Sequence, residues 1–327
     1  MHNDTEKVEQ LNMNPHAAHW LKNSDGNIMY GSLFEKLLVL AVNKIASLDP
    51  SGIGIEMEAD KPGWNDAMNG LPGLFGSGVS ETIELQRVVR YLMNHFDSQK
   101  SIKVPAEFAE FMTGLHHILE TEFDDYKFWD KANTAKEHYR AAIRFSTVGL
   151  EYIDQKKVLS MLEAMDKKLD VALTKAHRMG NGIYPTYLVH EVTKYQEILE
   201  KGQPKIGHYG LPVVKPLQFK VRALPFYLEA PARALKVVKN MASKQNMFKR
   251  IKASNIYDKE LQFYKTSEFL DAESNEIGRG RSFTKGWQER ESNFLHMTYK
   301  YLLGLLKGQM YQEFFEEIKT NLTIFMI

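Results

Sequence analysis

Residues 60–73 read Asp-Lys-Pro-Gly-Trp-Asn-Asp-Ala-Met-Asn-Gly-Leu-Pro-Gly. This stretch gathers Asp60, Trp64, Asn65, Asp66 and Asn69 among glycines. Pro62 and Pro72 rule out an unbroken helix or strand, so the residues belong to a loop. Loops that carry aromatics and acids are often sites, because a scaffold aims them into a cleft. An indole stacks on a pyranose face, and an acid serves a hydroxyl or a glycosidic oxygen. Asp66 suits a general acid. Such a group must hold its proton near neutrality, which requires burial or a neighbouring acid. Trp64 supplies an apolar wall, Asp60 or Glu58 a like charge, and Asn65 and Asn69 bonds to sugar hydroxyls. The alternative is a tight turn in which Asn and Asp bond the local backbone and Trp64 caps a core.

A second cluster lies at Gly286-Trp-Gln-Glu-Arg-Glu-Ser-Asn-Phe-Leu-His296. Glu289, Arg290, Ser292 and His296 at a helix start would suit an anion, since free amide groups and the dipole favour negative charge there. The competing reading is an ordinary N-terminal cap with His296 in a half-buried turn. A third, Gly278-Arg279-Gly280-Arg281, offers two arginines for bidentate phosphate contact on a flexible backbone. A solvated basic loop is its alternative. Arg222 and Glu229 could line a cleft, with a structural ion pair as the favoured reading. His116 and His117 point about 100° apart on a helix and make no common metal face.

The composition narrows the partners. The 327 residues carry 42 basic and 41 acidic side chains, a net charge of +1. Nothing in that balance favours nucleic acid or an anionic membrane. There is no cysteine, which excludes disulfides, thiol catalysis and thiolate metal sites. Residues 1–10 lack the apolar core of a signal peptide, and no apolar run reaches a membrane span. The expectation is a soluble, cytoplasmic protein.

The elements that must position these groups read as mostly helical. Ser32 to Ser47 is expected to be a helix buried around much of its circumference, with Leu33, Leu37, Leu40, Val42 and Ile45 inward. Ser80 is expected to cap a helix running to about Phe96, and Pro105 to His177 reads as helical, with weak interruptions at Gly114 and Gly149. Gly180-Asn181-Gly182 breaks the pattern, and residues 183–224 suggest loops and short strands. Pro225 to Asn240 reads as a helix, and Ala242 to Thr266 as a polar region with a short helix. Two final helices are expected over about Glu291 to Leu306 and Tyr311 to Phe325. Long helices separated by glycine-bearing loops suit a toroid of paired helices.

The segment Gly63-Trp-Asn-Asp-Ala-Met-Asn69 resembles the inverting glycoside phosphorylases of the cellobiose phosphorylase family, glycoside hydrolase family 94. That family carries Gly-Asp-Trp-Asn-Asp-Gly-Met-Asn, then a Gly-Glu-Ser segment opening a helix. Gly78-Val-Ser-Glu81 is similar to that opening, and Gly63 stands where the family has Asp. Glu289-Arg-Glu-Ser-Asn-Phe-Leu-His296 resembles the family's Glu-Asn-Gly-Gly-x-Phe-x-His segment, with Arg290, Glu291 and Ser292 departing from it. The resemblance implies an all-α (α/α)6 barrel, a helical toroid with a few short strands in loops. It implies a single catalytic-type domain over 1–327, without the β-sandwich that precedes the barrel or the Thr-Gly loop that follows it. It implies Asp66 as the general acid, with Trp64, Asn65, Asn69, Asp60 and Glu81 on the sugar. His296, Arg279, Arg281 and Ser292 would hold phosphate. No metal or cofactor is implied, inorganic phosphate being the co-substrate. The partners would be a disaccharide or oligosaccharide, and a second copy or a complementing subunit. The implied reaction is inverting phosphorolysis of a β-glucoside to a sugar 1-phosphate. Two alternatives stay open. One is an inverting hydrolase, with Glu289 or Glu291 as base and carboxyls ~6.5–9.5 Å apart. The other is an inactive remnant that only binds carbohydrate.

Overall fold

In chain order the helices are α1 (Thr5–Met13), α2 (Leu33–Ile45), α3 (Val79–Asn94), α4 (Ala106–Thr121) and α5 (Asp125–Ala142). They continue with α6 (Gln155–Met179), α7 (Glu229–Ala234), α8 (Met241–Ala253), α9 (Leu295–Lys307) and α10 (Tyr311–Asn321). The strands are β1 (Ile55–Glu56), β2 (Ser77–Gly78), β3 (Ile102–Pro105), β4 (Leu150–Ile153) and β5 (Tyr187–Glu197). Then come β6 (Leu199–Glu200), β7 (Gln203–Pro204), β8 (Val214–Ala223), β9 (Tyr257–Asp258) and β10 (Phe263–Tyr264). This computed structural model describes residues 5–13, 20–59, 63–96 and 102–325. Helix predominates among them, and the sheets are small and antiparallel. The chain divides into two compact units, 1–47 with 85–168 and 48–84 with 169–327.

In the first unit, α2 starts at a capping box. The Glu35 amide donates to Ser32 Oγ, and the Ser32 amide donates to the Glu35 carboxylate. Only Leu38, Ala41, Val42 and Ile45 are buried along α2, whereas Leu33 is 68% and Leu40 49% exposed. The expectation of a helix buried around its circumference is therefore corrected to a one-faced helix. The long helical stretch after Pro105 is three helices. Gly114 passes inside α4 without a break, while Gly149 lies in the turn before β4 and accepts from the Ala106 amide at 3.1 Å. Asp124 caps α5 through the Lys127 amide. β4 pairs antiparallel with β3 over four residues. Phe111 stacks on Tyr139 with ring centroids 4.9 Å apart, and the buried Lys136 ammonium donates to Ser47 Oγ at 3.0 Å.

The second unit holds a four-stranded sheet in the order β1-β2-β5-β8. α3 begins where β2 ends, with the Val79 amide donating to the Thr186 carbonyl at 2.9 Å. Ser80 therefore lies inside the first turn of α3 rather than at its cap. One core cluster joins Val79, Ile83, Leu188, Leu228, Leu235, Met247, Tyr264 and Tyr301. Another joins Met68, Leu71, Tyr187, Val189, Tyr227 and Ile277. β5 and β8 are 11 and 10 residues long, not the short strands expected. Their pairing partners lie across a hairpin, and local alternation shows only at Phe219, Val221 and Ala223. The helix expected over 225–240 is only α7. Pro231 is tolerated in its first turn, and α8 starts at a new cap, Asn240.

Candidate active site

The Trp64 loop lies wholly within the second unit. It folds as two 3-10 turns, Asp66–Met68 and Leu71–Leu74, the second closed by Phe75 in the left-handed region. Met68 and Leu71 anchor it in the core, and the Tyr227 hydroxyl meets Met68 Sδ at 3.2 Å. The loop presses directly on residues 275–279. The Gly70 amide donates to the Ile277 carbonyl at 3.2 Å, and a Cβ on Gly70 would lie 1.9 Å from the Glu276 carbonyl oxygen. At Gly278, φ is +127°, and a Cβ there would lie 2.4 Å from the Ala67 carbonyl oxygen. Two glycines thus let two loops some 210 residues apart in sequence meet backbone to backbone.

That contact delivers Arg279 to the acid. Its guanidinium pairs with the Asp66 carboxylate, and its amide donates to Asn69 Oδ1 at 3.2 Å. Both partners of the ion pair are about half exposed. Asn69 therefore holds the Arg279 backbone in place, and its amide oxygen is not directed to a ligand.

On the other side of the loop, Trp64 meets the start of α9. Its ring lies 6.0 Å from Phe294 and 5.8 Å from His296, centroid to centroid. The indole N–H is buried without a hydrogen-bond partner, as is the hydroxyl of Ser80. Asn65 is 2% exposed and sits beside the Tyr187 hydroxyl without closing a bond of ordinary geometry. Glu81 curls back over Gly78 toward Gly63. His296 is exposed in the first turn of α9. Burial of part of its ring, then the charge of Lys300, lowers its pKa; Glu229 opposes that shift and Arg233 adds to it.

The charges of a cluster on α7 act on His296; the sequence reading named its Glu229 but not the partners Arg233 and Glu84. Glu229 is 2% exposed and accepts from Arg233 Nε and Nη2 at 3.0 and 2.7 Å. Arg233 Nη1 reaches Glu84 at 2.9 Å. The Glu229 charge acts on Tyr187, His296 and Lys300. Burial, then repulsion from Arg233, lowers the Lys300 pKa. Arg222 instead forms a two-pronged pair with Glu273 at 3.0 and 2.8 Å, so Arg222 and Glu229 belong to separate ion pairs. Arg233 and Glu229 are i, i+4 neighbours on α7. That spacing was the one local signal available.

The remaining expected residues serve the fold. Arg281 donates to the carbonyls of Glu273 and Asp271 at 3.0 and 2.8 Å. Arg290, 5% exposed, donates to the carbonyls of Arg281 and Phe283 and to the Asp271 carboxylate. Ser292 is buried upstream of α9, which begins four residues later than expected, at Leu295. Its hydroxyl donates to the Gln288 carbonyl. Glu291 is 9% exposed beside Arg290, and the Glu289 carbonyl accepts from Thr266 Oγ1 at 3.0 Å. Asp60 lies outside the described residues. Among the described residues no group of three or more His, Asp or Glu is placed to hold a metal, and no helix is long and apolar enough to cross a membrane. A groove of about 680 Å³ in the first unit is lined by Glu107, Glu110, Glu151, Asp154 and Lys157, none of which the motifs single out.

No family model matches the chain, and no curated protein matches it.

Proposed function

We propose that the second unit binds a carbohydrate and inorganic phosphate, and cleaves a β-glucosidic bond by inverting phosphorolysis. One observation supports this above the others. The Trp64-Asp66 motif meets, in one unit, the Arg279 and His296 motifs that follow it by more than 200 residues. Trp64 forms the sugar wall, and the buried, unpartnered Trp64 N–H and Asn65 amide receive sugar hydroxyls. Asp66 protonates the departing glycosidic oxygen, while phosphate attacks the anomeric carbon from the opposite face. The C–O bond to the leaving sugar breaks, a C–O bond to phosphate forms, and the configuration inverts. No second carboxyl is needed, because phosphate is already an anionic nucleophile.

The ion pair with Arg279 must part before Asp66 can act as an acid. Phosphate competes for that guanidinium, which binds phosphate with two parallel bonds. His296 makes a hydrogen bond to the same anion. In this reading the helices belong to an (α/α)6 toroid and the protein works in the cytoplasm. The test is release of α-sugar 1-phosphate from β-linked disaccharides, with and without phosphate. Asp66→Asn should lower kcat/KM by about 10²–10⁴-fold. Undiminished phosphate-dependent cleavage by that variant would refute the assignment. Cleavage that ignores phosphate would mark a hydrolase.

A further inference from the structure

A phosphate dianion needs several donors, and the structure withdraws two that the motifs offered. Arg281 is turned onto the carbonyls of Glu273 and Asp271, and the Ser292 hydroxyl onto the Gln288 carbonyl. Arg279 is shared with Asp66. An anion held by that guanidinium and one imidazole is short of cationic partners. The α9 helix carries a further cation, Lys300, that no motif singled out.

His296, Lys300 and Gly304 follow one another at four-residue steps, so they share one face of α9. That face meets α7: a Cβ on Gly304 would lie 2.6 Å from the Ala232 carbonyl oxygen. One turn earlier, Lys300 feels the charges of Arg233, Glu229 and Glu84. A further turn earlier, His296 lies against Trp64. Long side chains on a helix lean toward its N-terminus, which carries the lysine stem back toward His296. Lys300 accordingly exerts the largest charge effect on that imidazole. Both groups lack a polar partner. His296 makes only ring contacts, with Trp64 and Phe294. Lys300 is half-buried, and its ammonium makes no hydrogen bond or ion pair among the described residues. The nearby carboxylates of Glu229 and Glu84 are both bonded to Arg233, whose charge repels the ammonium. A half-buried cation in that position gains most from an anion that enters beside Trp64.

We infer that Lys300 is an anion-binding residue of this site, holding inorganic phosphate together with His296 where α9 meets α7. The identity of the anion rests on the phosphorolysis reading. Arg279 reaches the same phosphate from the other side of the Trp64 loop. Lysine suits this place because its ammonium is a point charge with three donors on a flexible stem. It follows a tetrahedral anion without needing the planar match that a guanidinium makes. Lys300 thus stands in for the contacts that Arg281 and Ser292 cannot make.

Titration calorimetry of the full chain with inorganic phosphate, with and without a β-linked disaccharide, reads the site apart from turnover. Lys300→Met should weaken phosphate binding by about tenfold or more, the worth of one charge-assisted hydrogen bond. Lys300→Arg keeps the charge and should restore most of the affinity. Should Lys300→Met fail to fold, Lys300→Gln reads the same loss. In phosphorolysis the loss should appear in the phosphate KM and leave the sugar KM unmoved. Equal phosphate affinity in wild type and Lys300→Met overturns the inference and leaves the phosphorolysis reading standing. A shifted melting temperature alone would then mark Lys300 as a counter-charge to Glu229 and Glu84. Phosphate binding that depends on Lys300, with no release of sugar 1-phosphate, overturns the reading and leaves the anion site. A wild type that binds no phosphate at millimolar concentration overturns both.

Discussion

Substituting Asp49 by Asn tests how the second unit holds its acid loop. Asp49 is fully buried just after α2, in the loop that leads to β1. Its Oδ1 accepts from the Ser51 amide, the Ser51 hydroxyl and the Ile53 amide, at 3.0, 2.7 and 3.0 Å. Its Oδ2 accepts from the Gly54 amide and the Ser77 hydroxyl at 2.7 and 2.6 Å. His190 Nε2 lies 3.6 Å away, and its Nδ1 meets the Phe75 carbonyl at 2.7 Å. One carboxylate thus ties β1, β2 and β5 together at the base of the Trp64 loop. Burial alone would raise its pKa. The hydrogen bond and charge of His190, with the hydroxyls of Ser77 and Ser51, overcome that and hold it at about 2. A fall from 3.8 to about 2 is worth about 2.4 kcal/mol, at about 1.36 kcal/mol per pH unit. Because the folded pKa is depressed, this stability is present above pH 3.8 and disappears as pH falls through 2. For His190, burial lowers the pKa, but the bond to Asp49 and its charge raise it further. The stability from His190 is full below its unfolded pKa and is lost as pH rises through the higher folded value. An Asn at 49 turns an NH₂ group toward donors, removes the Asp49 pH dependence and takes from His190 the bond and charge of Asp49, leaving burial, the Phe75 carbonyl and Glu56 to act on it. The expected cost is about 2–4 kcal/mol at pH 7. Urea unfolding at pH 7, 5, 3 and 2, followed by circular dichroism and fluorescence, measures it. A variant within 0.5 kcal/mol of wild type, or one with the same acid slope, would refute the reasoning.

Gly278→Ala should cost about 2–4 kcal/mol, because its backbone conformation disfavours a side chain and its Cβ would overlap the Ala67 carbonyl. Gly286→Ala is the control in thermal melts: φ is +81° but the space is open, so about 1–2 kcal/mol is expected, and equal costs would refute the contact argument. Arg279→Gln breaks only a half-exposed pair, so stability should move by less than about 1 kcal/mol. Its phosphate KM should nonetheless rise at least tenfold, and an unchanged value would remove Arg279 from the phosphate site.

Local signals were legible wherever a residue's role depends on its near neighbours. The capping box of α2 needs only Ser32 and Glu35, and the break after α6 needs only Gly180-Asn181-Gly182. The Trp64 loop and the Arg279 segment showed themselves by glycine spacing, and the structure supplies the reason at Gly70 and Gly278. What stayed hidden depends on distant partners. Arg233 reaches Glu84 across 149 residues, and Ser51 reaches His190 across 139. The length of β5 and β8 is set by the ladder between them, which no short window of sequence contains. Arg281 and Ser292 looked like phosphate ligands because both residue types bind anions. The loop geometry turns both onto backbone carbonyls instead.

The second unit contains two buried polar clusters, and they differ in one physical respect. Around Asp49 the carboxylate oxygens, the Ser51 and Ser77 hydroxyls and both His190 nitrogens meet partners within 3.6 Å. A fully satisfied network is rigid and structural, and it leaves nothing to offer a ligand. From Trp64 to Ser80 the indole N–H, the Asn65 amide and the Ser80 hydroxyl are buried without that satisfaction. Each such group costs about 1–3 kcal/mol until something supplies its missing bond. A ligand rich in hydroxyl groups recovers that cost only if it enters beside Trp64.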